Sequence, residues 1–131
     1  MPDKKCRILY VEDQLEMIEL MQLVLRQRPA QLIGATSVAQ AIEILHNDPP
    51  DLVLLDIMIP EVDGWAVQSE IISNPALQHI PIIVITARGS LYERDRGLHR
   101  EGVVDYIIKP FSPAALLVSI DRALANRPVP S

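Results

Sequence analysis

Five short apolar runs, each followed by an amphipathic stretch, constrain this chain more than any other feature. The runs are CRILYV (6–11), QLIGAT (31–36), LVLL (52–55), PIIVIT (81–86) and VVDYII (103–108). LVLL and PIIVIT are apolar on both faces. A strand with one face in water alternates apolar and polar residues, so an uninterrupted apolar run implies cover on both sides. The intervening stretches place apolar residues at helical spacing. Met17, Ile18, Met21 and Leu25 form one stripe, widened by Leu20 and Val24. Val38, Ala41, Ile42 and Leu45 form another, and Leu116, Leu117, Ile120 and Leu124 a third. Strand and helix alternating five times, joined by right-handed crossovers, predict a single α/β domain: a doubly wound parallel sheet of five strands with helices on both faces.

Punctuation along the chain agrees with this frame. Asp13 with Glu16, and Ser37 with Gln40, resemble helix-start signatures. Helices are expected over Gln14–Gln27, from Val38 to near Asp48, over Trp65–Ser73, over Leu91–Glu101 and from Pro113 onward. Pro29, Asp48-Pro49-Pro50 and Asn74-Pro75 end the first three, Asp63-Gly64 marks a turn, and Ser112-Pro113 supplies a cap and first residue for the last. The Leu91–Glu101 stretch is the weakest: it has few apolar anchors, Leu91 and Leu98, and an internal Gly97. Residues 1–126 are expected to form the domain, and 127–131, with Pro128 and Pro130, a tail or the start of a linker.

A chain of 131 residues suits one domain. Its net charge of -5 argues against direct nucleic-acid binding. Cys6 is the only cysteine, so no internal disulfide or cysteine metal cluster can form, and it reads as a small core residue. No secretory signal is expected in MPDKKCRILYVED and no membrane span anywhere, so the expected location is the cytoplasm.

In an open parallel sheet, ligands bind beyond the carboxyl ends of the strands. The first strand ends at Glu12-Asp13, the third at Asp56, the fourth at Thr86-Ala87 and the fifth at Lys109-Pro110. If the first and third strands are neighbours, three carboxylates meet in one pocket with a lysine and a hydroxyl at its rim. Clustered acids repel, and a hard divalent cation relieves that conflict. Mg²⁺, or Mn²⁺, takes oxygen ligands and commonly bridges carboxylates to a phosphate. Asp56 is then placed as a nucleophile toward phosphorus, with Thr86 and Lys109 as partners of phosphoryl oxygens.

The segments VEDQ (11–14), LVLLDIMIPEVDGW (52–65), IVITA (83–87) and DYIIKPF (105–111) resemble the receiver domain of bacterial two-component response regulators, in order and spacing, from about Cys6 to Ala125. The resemblance implies strand order 2-1-3-4-5. It implies Asp56 as phosphoacceptor, and Glu12, Asp13, Asp56 and the backbone carbonyl of Met58 around the metal. Thr86 is similar to the switch hydroxyl, Lys109 to its partner lysine, and Ala87 to the small residue that leaves the phosphoryl group room. Tyr106 matches the switch aromatic, which moves inward with Thr86, and Pro110 follows a peptide bond expected to be cis. The implied function is a phosphorylation-activated signalling domain rather than an enzyme with turnover. A histidine kinase or phosphotransfer protein would be its donor, an unidentified output domain or protein its target, and a phosphorylation-dependent homodimer a possible assembly. The chain departs from the family at Gly97 and Val103-Val104, where alanines are usual, and in the arginines 88, 94, 96 and 100.

Each residue also has a plainer reading: Asp13 as a helix cap, Asp56 as a turn residue, Thr86 as a β-former, Lys109 as a solvated strand end, Tyr106 as core. Their conjunction at four strand ends favours one phosphoryl-transfer site. An Mg²⁺-dependent phosphatase with an aspartate nucleophile would need an acid two residues on, where this chain has Met58. A flavin or nucleotide module would need a Gly- or Ser-rich loop where this chain has Glu12 to Glu16. A degenerate receiver that only binds partners would not need the full set of acids, threonine and lysine. His46, His79 and His99 lack metal-ligand spacing and are expected at the surface.

Overall fold

A computed structural model describes residues 6–59, 64–87 and 89–126, with the side chains of Leu91 and Tyr92 excepted. The expected tail at 127–131, the Asp63 half of the predicted turn and Arg88 lie outside the described residues. Strand and helix alternate five times: β1 (Cys6–Val11), α1 (Leu15–Leu25), β2 (Ala30–Ala35), α2 (Val38–Asn47), β3 (Leu52–Leu55), α3 (Trp65–Ser73), β4 (Ile82–Thr86), α4 (Leu91–Leu98), β5 (Val103–Ile108) and α5 (Pro113–Ala125). All pairings are parallel and the sheet order is β2-β1-β3-β4-β5.

The two-residue period of the strands divides the core in two. Leu9, Val11, Val53, Leu55, Ile82 and Val84 face one side, against Val38, Ala41 and Leu45 of α2 and Val67 and Ile71 of α3. Ile8, Tyr10, Leu52, Leu54, Ile83 and Ile85 face the other, against Ile18 and Met21 of α1 and Leu116 and Ile120 of α5. Cys6 packs partly buried at the margin of this second core.

Several local expectations change. Leu20 is exposed, not part of the buried stripe of α1: it lies about 40° beyond Val24 around the helix, on the side away from Met21 and Leu25. Asp13 does not cap α1: the cap position is Gln14, with no side-chain hydrogen bond. Ser37 does cap α2, its Oγ accepting from the Gln40 N–H at 3.1 Å. The return bond, however, comes from the Thr36 N–H to Gln40 Oε1 at 2.9 Å, one residue earlier than a regular capping box. Ser90 and Ser112 cap α4 and α5 through Glu93 and Ala115. α4 stops at Leu98, short of Glu101, and Gly102 then takes φ +85° to turn the chain into β5.

Candidate functional site

Parallel pairing of β1 with β3 sets Val11 opposite Leu55, so the residues that follow, Glu12 and Asp56, leave the sheet side by side. The Asp56 N–H still donates to the Val11 carbonyl at 3.0 Å, which carries the ladder up to the acid itself. Glu12, Asp13 and Asp56 each offer a carboxylate oxygen within 4.8 Å of the others. Glu12 is 1% exposed and Asp56 is buried, while Asp13 sits at the half-buried rim.

Lys109 reaches this cluster from the end of β5. Its Nζ donates to Asp56 Oδ2 at 2.8 Å and also to Glu12 Oε1. The lysine is placed by its backbone, whose N–H donates to the Thr86 carbonyl at 2.9 Å, and the Lys109–Pro110 bond is cis as expected. Asp56 Oδ1 accepts from the Met58 N–H at 2.8 Å, so the turn role and the cluster role belong to the same residue. The Met58 side chain is exposed beside the acids. Gly64 closes the site from below: a Cβ there would lie 2.7 Å from the Asp56 carbonyl oxygen and 2.6 Å from the Ile57 Cα.

Electrostatics follow from burial and from the shared lysine. Burial lifts the Glu12 carboxyl above its ordinary range, more than the Lys109 and Tyr10 hydrogen bonds lower it. Burial would lower the Lys109 ammonium, but its bonds to Asp56 and Glu12 reverse this and hold it above its ordinary value. The Lys109 shift reflects the two carboxylates it serves, whereas the Glu12 shift reflects chiefly the loss of water. The all-carboxylate donor set matches a hard, oxygen-preferring divalent cation such as Mg²⁺ or Mn²⁺.

Thr86 is fully buried at the end of β4, and Ala87 beyond it is exposed. Tyr106 is already inside, 2% exposed. The reason is Gly97: a Cβ at that position would come within 2.6 Å of the Tyr106 ring, so the glycine is the notch that lets α4 rest on it. Arg100, one of the four arginines noted in the sequence, is exposed and stacks 4.0 Å over the Trp65 ring. His46 faces Glu70 across α2 and α3 at 2.7 Å, at the surface and away from any metal-type cluster.

Sequence reasoning passed over Tyr10. It is fully buried, and its hydroxyl donates to Glu12 Oε1 at 2.9 Å. Burial first, then the charge of Glu12, pushes this phenol far above its usual range, so it remains a hydrogen-bond donor. The signal was available: Glu12 follows β1 directly, its N–H still bonded to the Ala35 carbonyl of β2, so it keeps the strand's two-residue period and shares a face with Tyr10.

Residues 8–121 match the response regulator receiver domain family. The chain is 38% identical over 118 residues to the phosphate regulon transcriptional regulatory protein PhoB of Escherichia coli, which covers 90% of this chain and 51% of PhoB. It therefore spans about half the length of that relative. The signal receiver domain of a signal transduction histidine kinase from Syntrophus aciditrophicus superposes with a TM-score of 0.81 at 29% identity, covering 92% of this chain and 90% of that one. A CheY-like receiver domain protein from Methanospirillum hungatei, 24% identical and covering 93% of this chain and 95% of that one, shares the fold with a TM-score of 0.81.

Proposed function

The chain belongs to the response regulator receiver domain family, a signalling domain of two-component systems, and we propose that it accepts a phosphoryl group on Asp56 and thereby switches an output surface. The observation that carries this reading is the meeting of Glu12, Asp13, Asp56 and Lys109 beyond the carboxyl ends of β1, β3 and β5. Residues 1–126 are the proposed receiver.

The donor is a phosphohistidine on a histidine kinase or phosphotransfer protein. An Asp56 oxygen attacks phosphorus in line, the P–O bond forms as the P–N bond breaks, and the imidazole leaves with the electron pair. Glu12, Asp13, Asp56 and the Met58 carbonyl would hold the divalent cation, which supplies the positive charge that lets carboxylate and phosphoryl oxygens approach. Lys109 exchanges carboxylate oxygens for phosphoryl oxygens. The Thr86 hydroxyl turns toward the new group, and the exposed Ala87 leaves it room. Since Tyr106 is already buried, its part is to hold the inward position once Thr86 commits.

The output surface in this reading is the α4–β5–α5 face, where Val104, Ile108 and Val118 are exposed apolar side chains. Pairing of two phosphorylated copies through that face is part of the proposal. Incubation with acetyl phosphate and Mg²⁺ followed by mass spectrometry tests the reading. A single phosphoryl adduct is expected on the wild type and none on Asp56→Asn. A wild-type protein that takes up no phosphoryl group would overturn it.

A further inference from the structure

Two donors converge on one oxygen of Glu12, and they differ in how free they are to leave. Lys109 Nζ is shared between Glu12 Oε1 and Asp56 Oδ2. Its side chain is 16% exposed and has four rotatable carbons' worth of freedom, so it can change partners. The Tyr10 hydroxyl, 2.9 Å from the same oxygen, cannot. Its ring is fully buried in the second core, together with Ile8 and Leu54 of the sheet and Ile18 of α1. Its backbone is fixed on both sides, by pairing with Gly34 of β2 and Leu54 of β3. Glu12 Oε2, meanwhile, accepts a long 3.3 Å bond from the Gln14 N–H, its one partner among the described residues.

We infer that Tyr10 is a positioning residue for the cation site: it holds Glu12 in place through Oε1 while Lys109 changes partners. The inference rests on the receiver reading above, in which Lys109 moves to a phosphoryl group. Without Tyr10, that move would leave a buried carboxylate oxygen with no donor, a costly state. Glu12 would then either swing out of position or retain Lys109 more tightly, and both outcomes oppose cation binding. Partners that orient metal ligands are commonly worth 10–100-fold in affinity.

The test is titration of the full chain with MgCl₂, following the amide resonances of Gln14 and Met58, which report on Glu12 and Asp56. Tyr10→Phe keeps the ring and removes only the hydroxyl. It should weaken Mg²⁺ about 10-fold while leaving the melting temperature close to wild type. Ile8→Val thins the same core without touching Glu12 and should leave the Mg²⁺ affinity within about twofold of wild type. The assignment is overturned if Tyr10→Phe binds Mg²⁺ as the wild type does, if Ile8→Val weakens binding equally, or if Tyr10→Phe fails to fold. A wild type that binds no Mg²⁺ would instead sink the receiver reading itself, and the two failures are thus separable.

Discussion

One ammonium, Lys109 Nζ, serves two buried or nearly buried carboxylates, Glu12 and Asp56. Removing one member of such a group leaves like charges without compensation, which is far more costly than losing a surface pair. Lys109→Ala is therefore expected to destabilise the metal-free protein by about 1–3 kcal/mol at neutral pH, less than a fully buried pair because the acids can take up protons or water. Added Mg²⁺ should restore more stability to this variant than to the wild type, since it removes a competing cation. Thermal unfolding with and without MgCl₂ checks both, and an equal Mg²⁺ increment in the two proteins would argue against the shared-lysine account. The acids and the lysine were legible because each closes an apolar run, where a strand must emerge from the sheet. The hydroxyl of Tyr10 was not, because a residue that looks like core gives no sign of what its polar end meets.

At the scale of elements, α4 is the helix whose sequence and structure speak differently. Its Gly97 reads as a helix-weakening residue, and none of its described side chains is buried. Leu98 packs half-buried against the first core, and two absent side chains shape the rest of the helix's seat. Gly97 lies over the Tyr106 ring, and Gly89, just before the helix, lies where a Cβ would meet Ile108 at 2.7 Å. Past its end, Arg100 stacks on Trp65, and Gln68 Nε2 donates to the Glu101 carbonyl at 2.9 Å, tying the helix to α3. Gly97→Ala gains up to about 1 kcal/mol of helix propensity but overpacks against Tyr106 at a cost of about 1–3 kcal/mol. The expected net effect is destabilisation by about 1 kcal/mol, with altered near-ultraviolet circular dichroism from a displaced Tyr106. A variant more stable than wild type with an unchanged spectrum would show that the notch is not needed. The sequence showed that the helix was poor, but what fills the space of a missing Cβ depends on β5, which only folding brings beneath it.

Across the whole molecule, the chain's two ends of the second core are clasped by Arg28, just after α1, and Asp121 of α5. The guanidinium Nε and one terminal nitrogen meet the carboxylate at 2.9 and 2.8 Å. The hydrogen bond from Arg28 holds the Asp121 carboxyl below its ordinary value. A depressed carboxylate stabilises the fold above its unfolded pKa and loses that contribution as pH falls through the folded one. Asp121→Asn should thus lower the melting temperature by about 1–3 °C at pH 7, since exposed pairs are weak, and by nothing measurable once the pH is well below the ordinary aspartate range. A difference that persists unchanged into acid would mean the pair's charge is irrelevant. Among the described residues no helix is long and apolar enough to cross a membrane. By itself the sequence determined the fold class, the order of elements and the acids at the strand ends, because periodicity and strand termination are local properties that survive without knowledge of neighbours. Tertiary structure alone decided that Tyr10 reaches Glu12, that Lys109 divides itself between two acids, that Gly97 houses Tyr106 and that Leu20 stays in water. Each of these depends on the distance between atoms far apart in sequence or on the reach of a neighbouring element, which no local pattern specifies.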